Sequence, residues 1–168
     1  NAWEHYPENG YYFLSALYRT LADHPRLELT TFQDALATGS AHDLHSLVAG
    51  SWVYGNFSTW IGDAQKNRGW ELLIEAKRAF DSAALTAEAR AAAERQLAIC
   101  EGSDWFWWFG DYNPAETVSN FDTLFRLHLA NLYRLCGLAV PAAVTRAFAH
   151  GHGAPARGGT MRPGQAAE

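Results

Sequence analysis

The stretch NPAETVSNFDTLFRLHLANLYRLCG, residues 113–137, decides the fold class of this 168-residue chain. Its apolar positions recur every three or four residues, which puts six side chains on one helical face: Phe121, Leu124, Phe125, His128, Leu132 and Leu135. Asn113, Pro114 and Glu116 match a capping box with proline at the first helical position, and Gly137 ends the pattern. The stretch therefore predicts one long amphipathic helix.

Four further helices are predicted before this one. Their starts are marked by residues that favour a first turn or an N-cap: Pro7, Thr31, Asp63 and Thr86. In the third helix an inward stripe is formed by Trp70, Leu73, Ala76 and Phe80. No segment shows convincing strand periodicity, so the chain predicts an all-α bundle of about five helices.

Two other segments lack helical periodicity. Residues 50–62 contain three glycines and predict an ordered loop, rich in glycine and tryptophan. Residues 149–168 are mostly Gly, Ala, Pro and Arg, with little to bury. We therefore predict one helical domain over residues 1–148 and a disordered tail over residues 149–168.

Composition limits the classes of partner. With 18 acidic and 13 basic side chains the net charge is -5, so nucleic acid is not an expected partner. No apolar stretch approaches the roughly 20 residues that cross a bilayer, so no membrane partner is expected either. Cys100 and Cys136 fall inside helices and are expected to be free thiols. The chain begins at Asn1 rather than Met, which suggests a missing N-terminal part and leaves the compartment open, with the cytoplasm favoured.

Seven tryptophans are the most distinctive feature of the composition. Six of them fall in three segments: Trp3, then Trp52 and Trp60, then Trp105, Trp107 and Trp108. An indole ring can fill a core, or it can pack on the C–H face of a sugar ring while polar neighbours bond the hydroxyls. The helical stripe favours the core for Trp70, whereas the loop favours function for Trp52 and Trp60. At least one tryptophan of the third segment is expected in the core.

The acidic residues give weaker signals. Asp104 lies among indoles and has two equally favoured interpretations, since its carboxylate can bond a helix end or an indole N–H, or grip a ligand hydroxyl. Glu4 adjoins His5 in a polar and aromatic segment of low specificity. Asp63 and Asp111 are explained by capping and turn formation.

No metal or cofactor site is expected. His42 and His45 lie three residues apart without a third ligand at suitable spacing. His128 falls on the apolar face of the last long helix, which favours a hydrogen-bonded core histidine over a ligand.

Three segments together resemble glycoside hydrolase family 57, and most closely its amylopullulanase and α-amylase-like members. They are NAWEHYP at residues 1–7, GSW and WIG at the two ends of residues 50–62, and EGSDWFWWFG at residues 101–110. The resemblance covers about residues 1–141 in the family's order. It implies a retaining enzyme that acts on α-glucans such as starch, glycogen, maltooligosaccharides or pullulan. The chain resembles the helical region that follows the distorted (β/α)₇ barrel of that family.

The resemblance also assigns candidate site residues. It matches Trp52 and Trp60 to tryptophans that line the glucan cleft, and Asp104 and Trp105 to a motif near the catalytic pocket. Trp3 and Glu4, in the first matching segment, are further candidate substrate contacts. The family's general acid/base lies in an Asp-Gly-Glu run just before the equivalent of Asn1, and its nucleophile lies further upstream. No catalytic residue is therefore expected in this chain, and the isolated chain is predicted to be inactive.

Two other classes of protein remain open. A stand-alone carbohydrate-binding module would use the same tryptophans without a barrel. A helical interaction domain would use its exposed aromatic side chains to assemble with another protein surface. Within the enzyme class, the residues are compatible with hydrolysis of α-1,4 or α-1,6 bonds and with glucosyl transfer.

Overall fold

The computed structural model describes residues 3–39 and 41–153, without the side chain of Glu4. The described residues form an all-α protein with no strand. Its seven α-helices are α1 Tyr11–Ala22, α2 Phe32–Thr38, α3 Ala64–Ser82, α4 Ala87–Cys100, α5 Asp104–Trp108, α6 Ala115–Leu135 and α7 Ala142–Thr145. The five predicted helices are α1, α2, α3, α4 and α6. The other two helices, α5 and α7, were not predicted separately and are only five and four residues long.

Three of the predicted N-caps are confirmed by their hydrogen bonds. The Thr31 hydroxyl accepts from the backbone N–H of Asp34 at 3.2 Å, and the Thr86 hydroxyl accepts from Ala89 at 3.3 Å. The Asp63 carboxylate accepts from the N–H groups of residues 65 and 66. Each cap satisfies backbone donors that the first turn of a helix leaves without an intrahelical partner.

The capping box predicted at Asn113 is wrong. The cap residue of α6 is Pro114, and the Asn113 Oδ1, which would have to accept from the first turn, has no hydrogen-bond partner. The Asn113 amide instead donates backwards, to the carbonyl oxygens of Trp107 at 3.3 Å and Trp108 at 2.9 Å. Asn113 therefore caps the C-terminal end of α5 rather than the N-terminal end of α6.

The chain divides into two compact units, Asn1–Leu47 and Val48–Glu168, where a single helical domain was predicted over residues 1–148. Among the described residues of the first unit, only Gly10 is buried. Helix α1 is amphipathic, yet its aromatic side chains are more than half exposed: Tyr11, Tyr12, Phe13 and Tyr18. The first unit therefore has no hydrophobic core of its own among these residues.

The second unit contains the hydrophobic core. Helix α6 contacts α3, α4, α5 and α7, and the centre of the packing is made by Leu72 of α3, Leu97 of α4 and Phe125 of α6. Cys100 and Cys136 are buried free thiols, as expected. Burial raises the pKa of the Cys100 thiol to about 11.

Packed structure continues beyond the predicted boundary at residue 148. The buried carboxylate of Asp122 accepts from the N–H groups of Phe148 at 3.1 Å and Ala149 at 3.3 Å, and it pairs with Arg126 at 2.8 Å. The N–H of Gly153 donates to the Asn113 carbonyl. Residues 149–153 thus fold back on α6, because a buried acceptor and backbone carbonyls engage them. Residues 154–168 of the predicted tail lie outside the described residues.

No helix of the described part of the chain combines the length and apolar character needed to cross a membrane.

Candidate functional site

The loop between residues 50 and 62 is ordered by hydrogen bonds within itself, as predicted. The Ser51 hydroxyl lies 2.8 Å from the Val53 carbonyl and 2.5 Å from the Asn56 carbonyl. The Asn56 side chain accepts from the N–H and the hydroxyl of Ser58. Between them Tyr54 and Gly55 both have left-handed φ values, 53° and 67°. These bonds form a tight turn that fixes the loop carrying Trp52.

Two indoles of this loop meet a third from α5 and form what we call the tryptophan platform: Trp52, Trp60 and Trp107. Trp52 is 80% exposed, and its ring lies nearly parallel to that of Trp107, with centroids 5.6 Å apart and 12° between the planes. Trp60 meets the same Trp107 ring edge to face, also at 5.6 Å. Trp107 is buried, so one internal indole supports the two predicted ones. The structure thus brings Trp52 and Trp60 together through a third tryptophan.

Trp60 and Trp70 are linked to each other as well. The Trp70 indole N–H donates to the Trp60 carbonyl at 2.9 Å, and its ring stacks on Phe106 at 3.8 Å. Trp70 is packed against the hydrophobic core, which agrees with its predicted structural role. It fixes the backbone of the platform without presenting a face for a ligand.

Trp107 lies in α5, a helix too short to be stable by itself. Its C-terminal carbonyls are nevertheless all paired. The Trp105 carbonyl accepts from the N–H of Phe109, and the Trp108 carbonyl accepts from Asn113. Lys66 donates to the carbonyls of Phe106 at 2.5 Å, Phe109 at 2.5 Å and Trp107 at 3.4 Å. Side chains from α3 and from the segment after α5 therefore hold this helix in place.

Lys66 is unusual because its side chain is buried, with 1% of the residue exposed. Its ammonium also faces the Tyr112 ring at 5.3 Å. Removal from water lowers the pKa of Lys66 to about 8, and the nearby Asp63 carboxylate partly opposes that shift. Three carbonyl oxygens and one aromatic face replace the water that this ammonium has lost.

Asp104 and Trp105 form a separate pocket of about 280 Å³, which is lined by Ile99, Gly102, Asp104, Trp105 and Phe121. Residues two positions apart on a helix point in nearly opposite directions, so Trp105 and Trp107 occupy opposite sides of α5. The Trp105 indole N–H donates to the Ile99 carbonyl at 2.8 Å, and its ring packs against Phe125. The structure therefore does not place Asp104 and Trp105 on the tryptophan platform.

Asp104 is the first residue of α5. No side chain caps α5 at its N-terminal end, and the Trp105 indole N–H is used by Ile99. Among the described residues, no hydrogen bond or ion pair is formed by the side chain of Asp104. Its exposed side chain lies in the first turn of α5 and borders this pocket.

The remaining candidates belong to other surroundings. Trp3 lies in the first compact unit, 44% exposed, and stacks on Phe13 with centroids 6.1 Å apart. The side chain of Glu4 lies outside the described part of the structure. His128 is hydrogen-bonded to Gln96 at 3.0 Å, as predicted. Among the described residues no group of three or more potential ligands could hold a metal ion.

Sequence reasoning missed the contribution of Lys66. The signal was present, because Lys66 lies four residues before Trp70 and seven before Leu73, on the extrapolated buried stripe of α3. A lysine at such a position indicates a buried ammonium that needs acceptors. Its acceptors come from residues 40 or more positions later, which periodicity within one helix does not reveal.

Comparison of the chain with known protein families, curated proteins and solved structures finds no match.

Proposed function

We propose that this chain supplies aromatic substrate-binding subsites to an α-glucan-acting enzyme that resembles glycoside hydrolase family 57. In this proposal the chain is the helical part that follows a (β/α)₇ barrel, and the reacting carboxylates lie upstream of Asn1. The tryptophan platform is the main sugar contact. Asp104 and Trp105 form a second contact, with the carboxylate accepting from sugar hydroxyls. Trp3 and Glu4 are further candidates from the first unit.

The observation that carries the proposal is the geometry of Trp52. An exposed tryptophan on an unordered loop would lose conformational freedom on binding, whereas Trp52 belongs to an ordered turn and its ring lies nearly parallel to the buried Trp107 ring. Its outer face is an apolar plane of the kind that packs on the C–H face of a pyranose. The net charge of -5 disfavours an alternative in which the exposed ring stacks on nucleic-acid bases.

Titration with maltohexaose, followed by tryptophan fluorescence, tests this contact. We expect weak saturable binding, and we expect Trp52→Ala to weaken it about fivefold or more, since an aromatic contact contributes about 1 kcal/mol. Tyr18→Ala is the matched control, because Tyr18 is an exposed aromatic residue of the first unit. Saturable binding that is unchanged in Trp52→Ala would contradict the assignment.

The enzyme context has its own test. The coding sequence directly before Asn1 should encode Asp-Gly-Glu, preceded by barrel-coding sequence. A reading frame that truly starts at Asn1 would favour the stand-alone carbohydrate-binding module instead. The upstream coding sequence therefore distinguishes the enzyme fragment from the stand-alone module without any activity measurement.

One observation favours a second function, that of a helical interaction domain. The aromatic residues of α1 are exposed although that helix is amphipathic, and Phe32 of α2 is 91% exposed. Light scattering tests this alternative. Concentration-dependent assembly that maltohexaose and Trp52→Ala both leave unchanged would support it, and a monomer at all concentrations would count against it.

A further inference from the structure

Lys66 connects α3 to the helix that carries the buried member of the tryptophan platform. We propose that Lys66 is a positioning residue: its ammonium closes the C-terminal end of α5 and thereby holds Trp107 beneath Trp52. The same contact makes ligand binding on the platform depend on the charge of Lys66. The second part rests on the proposed function, whereas the first part can be tested without any sugar.

The geometry argues for positioning rather than simple burial. The C-terminal end of a helix carries partial negative charge on its unpaired carbonyls, and a cation placed there is favourable. Lys66 reaches the carbonyl of Trp107 itself and those of Phe106, one residue before it, and Phe109, two residues after it. Asn113 supports the same end through a neutral amide. Rotation or fraying of α5 would break the Lys66 contacts and carry the Trp107 ring away from Trp52.

Because the pKa of Lys66 is lowered to about 8, its charge changes between neutral and moderately alkaline pH. The titratable groups that face it are Asp63, at the start of its own helix, and Tyr112, after α5; α5 itself contributes carbonyl oxygens. The pKa of Tyr112 is raised to about 12, mainly by burial, so Tyr112 stays neutral while Lys66 loses its proton. The neutral Lys66 amine has two N–H donors for three carbonyl oxygens. It also lacks the positive charge that attracts the C-terminal end of α5.

Circular dichroism of the stacked indoles tests the first part. The Trp52 contribution is the difference between the wild-type spectrum and that of Trp52→Ala, because an indole fixed beside a second indole gives a near-ultraviolet signal that is lost when their relative orientation becomes variable. In a Lys66→Met background this difference should be lost while the helical signal remains. Lys77→Met is the matched control, since Lys77 lies on the same helix but is exposed and paired with Asp81. An unchanged Trp52 contribution in folded Lys66→Met would overturn the proposal.

The wild-type protein provides a second measurement if Lys66→Met does not fold. Between pH 7 and about 9.5, a range that spans the lowered pKa of Lys66, the Trp52 contribution should decrease reversibly. A contribution that stays constant over this range would overturn the proposal.

Maltohexaose affinity over the same range tests the second part. It should fall about threefold or more in the wild type and in Lys77→Met, but not in folded Lys66→Met. If no variant binds maltohexaose at any pH, the proposed function fails, while the dichroism result still decides whether Lys66 positions the platform. A wild-type affinity that is independent of pH would overturn the charge dependence.

Discussion

At the scale of single residues, α5 is held in place by two buried polar side chains, those of Lys66 and Asn113. Lys66 offers a charge and three donors, whereas Asn113 offers a neutral amide, and both bond the carbonyl of Trp107. Each is almost fully buried, and each pairs carbonyl oxygens that have no partner within α5. The position of the platform therefore depends on polar contacts beneath it.

Lys66 also makes a prediction about stability. A lysine whose folded pKa is about 8 and whose ordinary value is 10.5 binds fewer protons when folded, so its contribution to the free energy of unfolding rises with pH between these values. From pH 7 to about 9.5 the wild type should gain about 2 kcal/mol relative to Lys66→Met. Urea denaturation of both proteins at the two pH values measures this difference. A constant difference would mean that the pKa of Lys66 is not lowered by burial.

The opposite trends of stability and sugar affinity have one cause. Losing the proton relieves the cost of burying a charge, so the whole fold becomes more stable. It also removes one donor and the attraction to the end of α5, so the local contact with Trp107 weakens.

A substitution of Asn113 distinguishes a side chain that caps the start of α6 from one that caps the end of α5. Serine is a good N-cap residue, so Asn113→Ser would be nearly neutral if this side chain capped α6. The structure predicts a loss of about 1–3 kcal/mol, because the shorter hydroxyl cannot replace the amide on both α5 carbonyls. Thermal or urea unfolding measures the change. Stability equal to that of the wild type would instead support Asn113 as the N-cap of α6.

At the scale of elements, the sequence allowed correct prediction where a local rule applied. Thr31, Asp63 and Thr86 each precede a periodic apolar pattern, and their caps need only neighbouring backbone. Helix α5 was not separated from α4, because five residues give no periodicity and its stability comes from Lys66, 40 residues earlier. The pairing of Trp52 with Trp107 was missed for the same reason, since contacts across 55 positions leave no local pattern.

The packing of the segment after α7 could not be predicted from local sequence patterns either. Its composition predicted disorder from residue 149, but Asp122 of α6 anchors Phe148 and Ala149 through their backbone N–H groups. Backbone donors carry no sequence signature, so only the buried position of an aspartate on α6 could have suggested an anchor.

Replacing that anchor should release the segment. Asp122→Ala removes the acceptor of the N–H groups of Phe148 and Ala149 and the ion-pair partner of Arg126, and should cost at least about 2 kcal/mol. Tryptic cleavage after the exposed Arg146 should accelerate. Asp81→Ala is the control, because its ion pair with Lys77 is exposed and should contribute little. Equal cleavage rates for Asp122→Ala and the wild type would show that the anchor does not hold the segment.

At the scale of the whole molecule, the two compact units differ in how they bury apolar surface. The second unit has a hydrophobic core and an ordered platform, whereas α1 of the first unit has exposed aromatic side chains and half-buried leucines. Such a surface is typical of a segment that another part of a protein covers. The enzyme-fragment proposal accounts for both features, with a barrel over the first unit and a glucan on the platform.

The fragment proposal predicts that the 168-residue chain hydrolyses neither maltohexaose nor pullulan. The expected acid/base and nucleophile lie upstream of Asn1, and a retaining mechanism needs both carboxylates. Analysis of reducing ends after prolonged incubation measures this. Turnover that is lost on mutation of Glu4 or Asp104 would show that the chain carries its own catalytic centre.

The most direct test of the proposed sugar contact is a nuclear magnetic resonance titration of the seven indole N–H signals with maltohexaose, assigned by single substitutions. A sugar contact on the tryptophan platform predicts saturable shifts for Trp52 and Trp60, at one common affinity, and an unchanged signal for Trp70, whose N–H is bonded to the Trp60 carbonyl inside the fold. A folded protein in which the Trp52 and Trp60 signals stay fixed at saturating maltohexaose would contradict it.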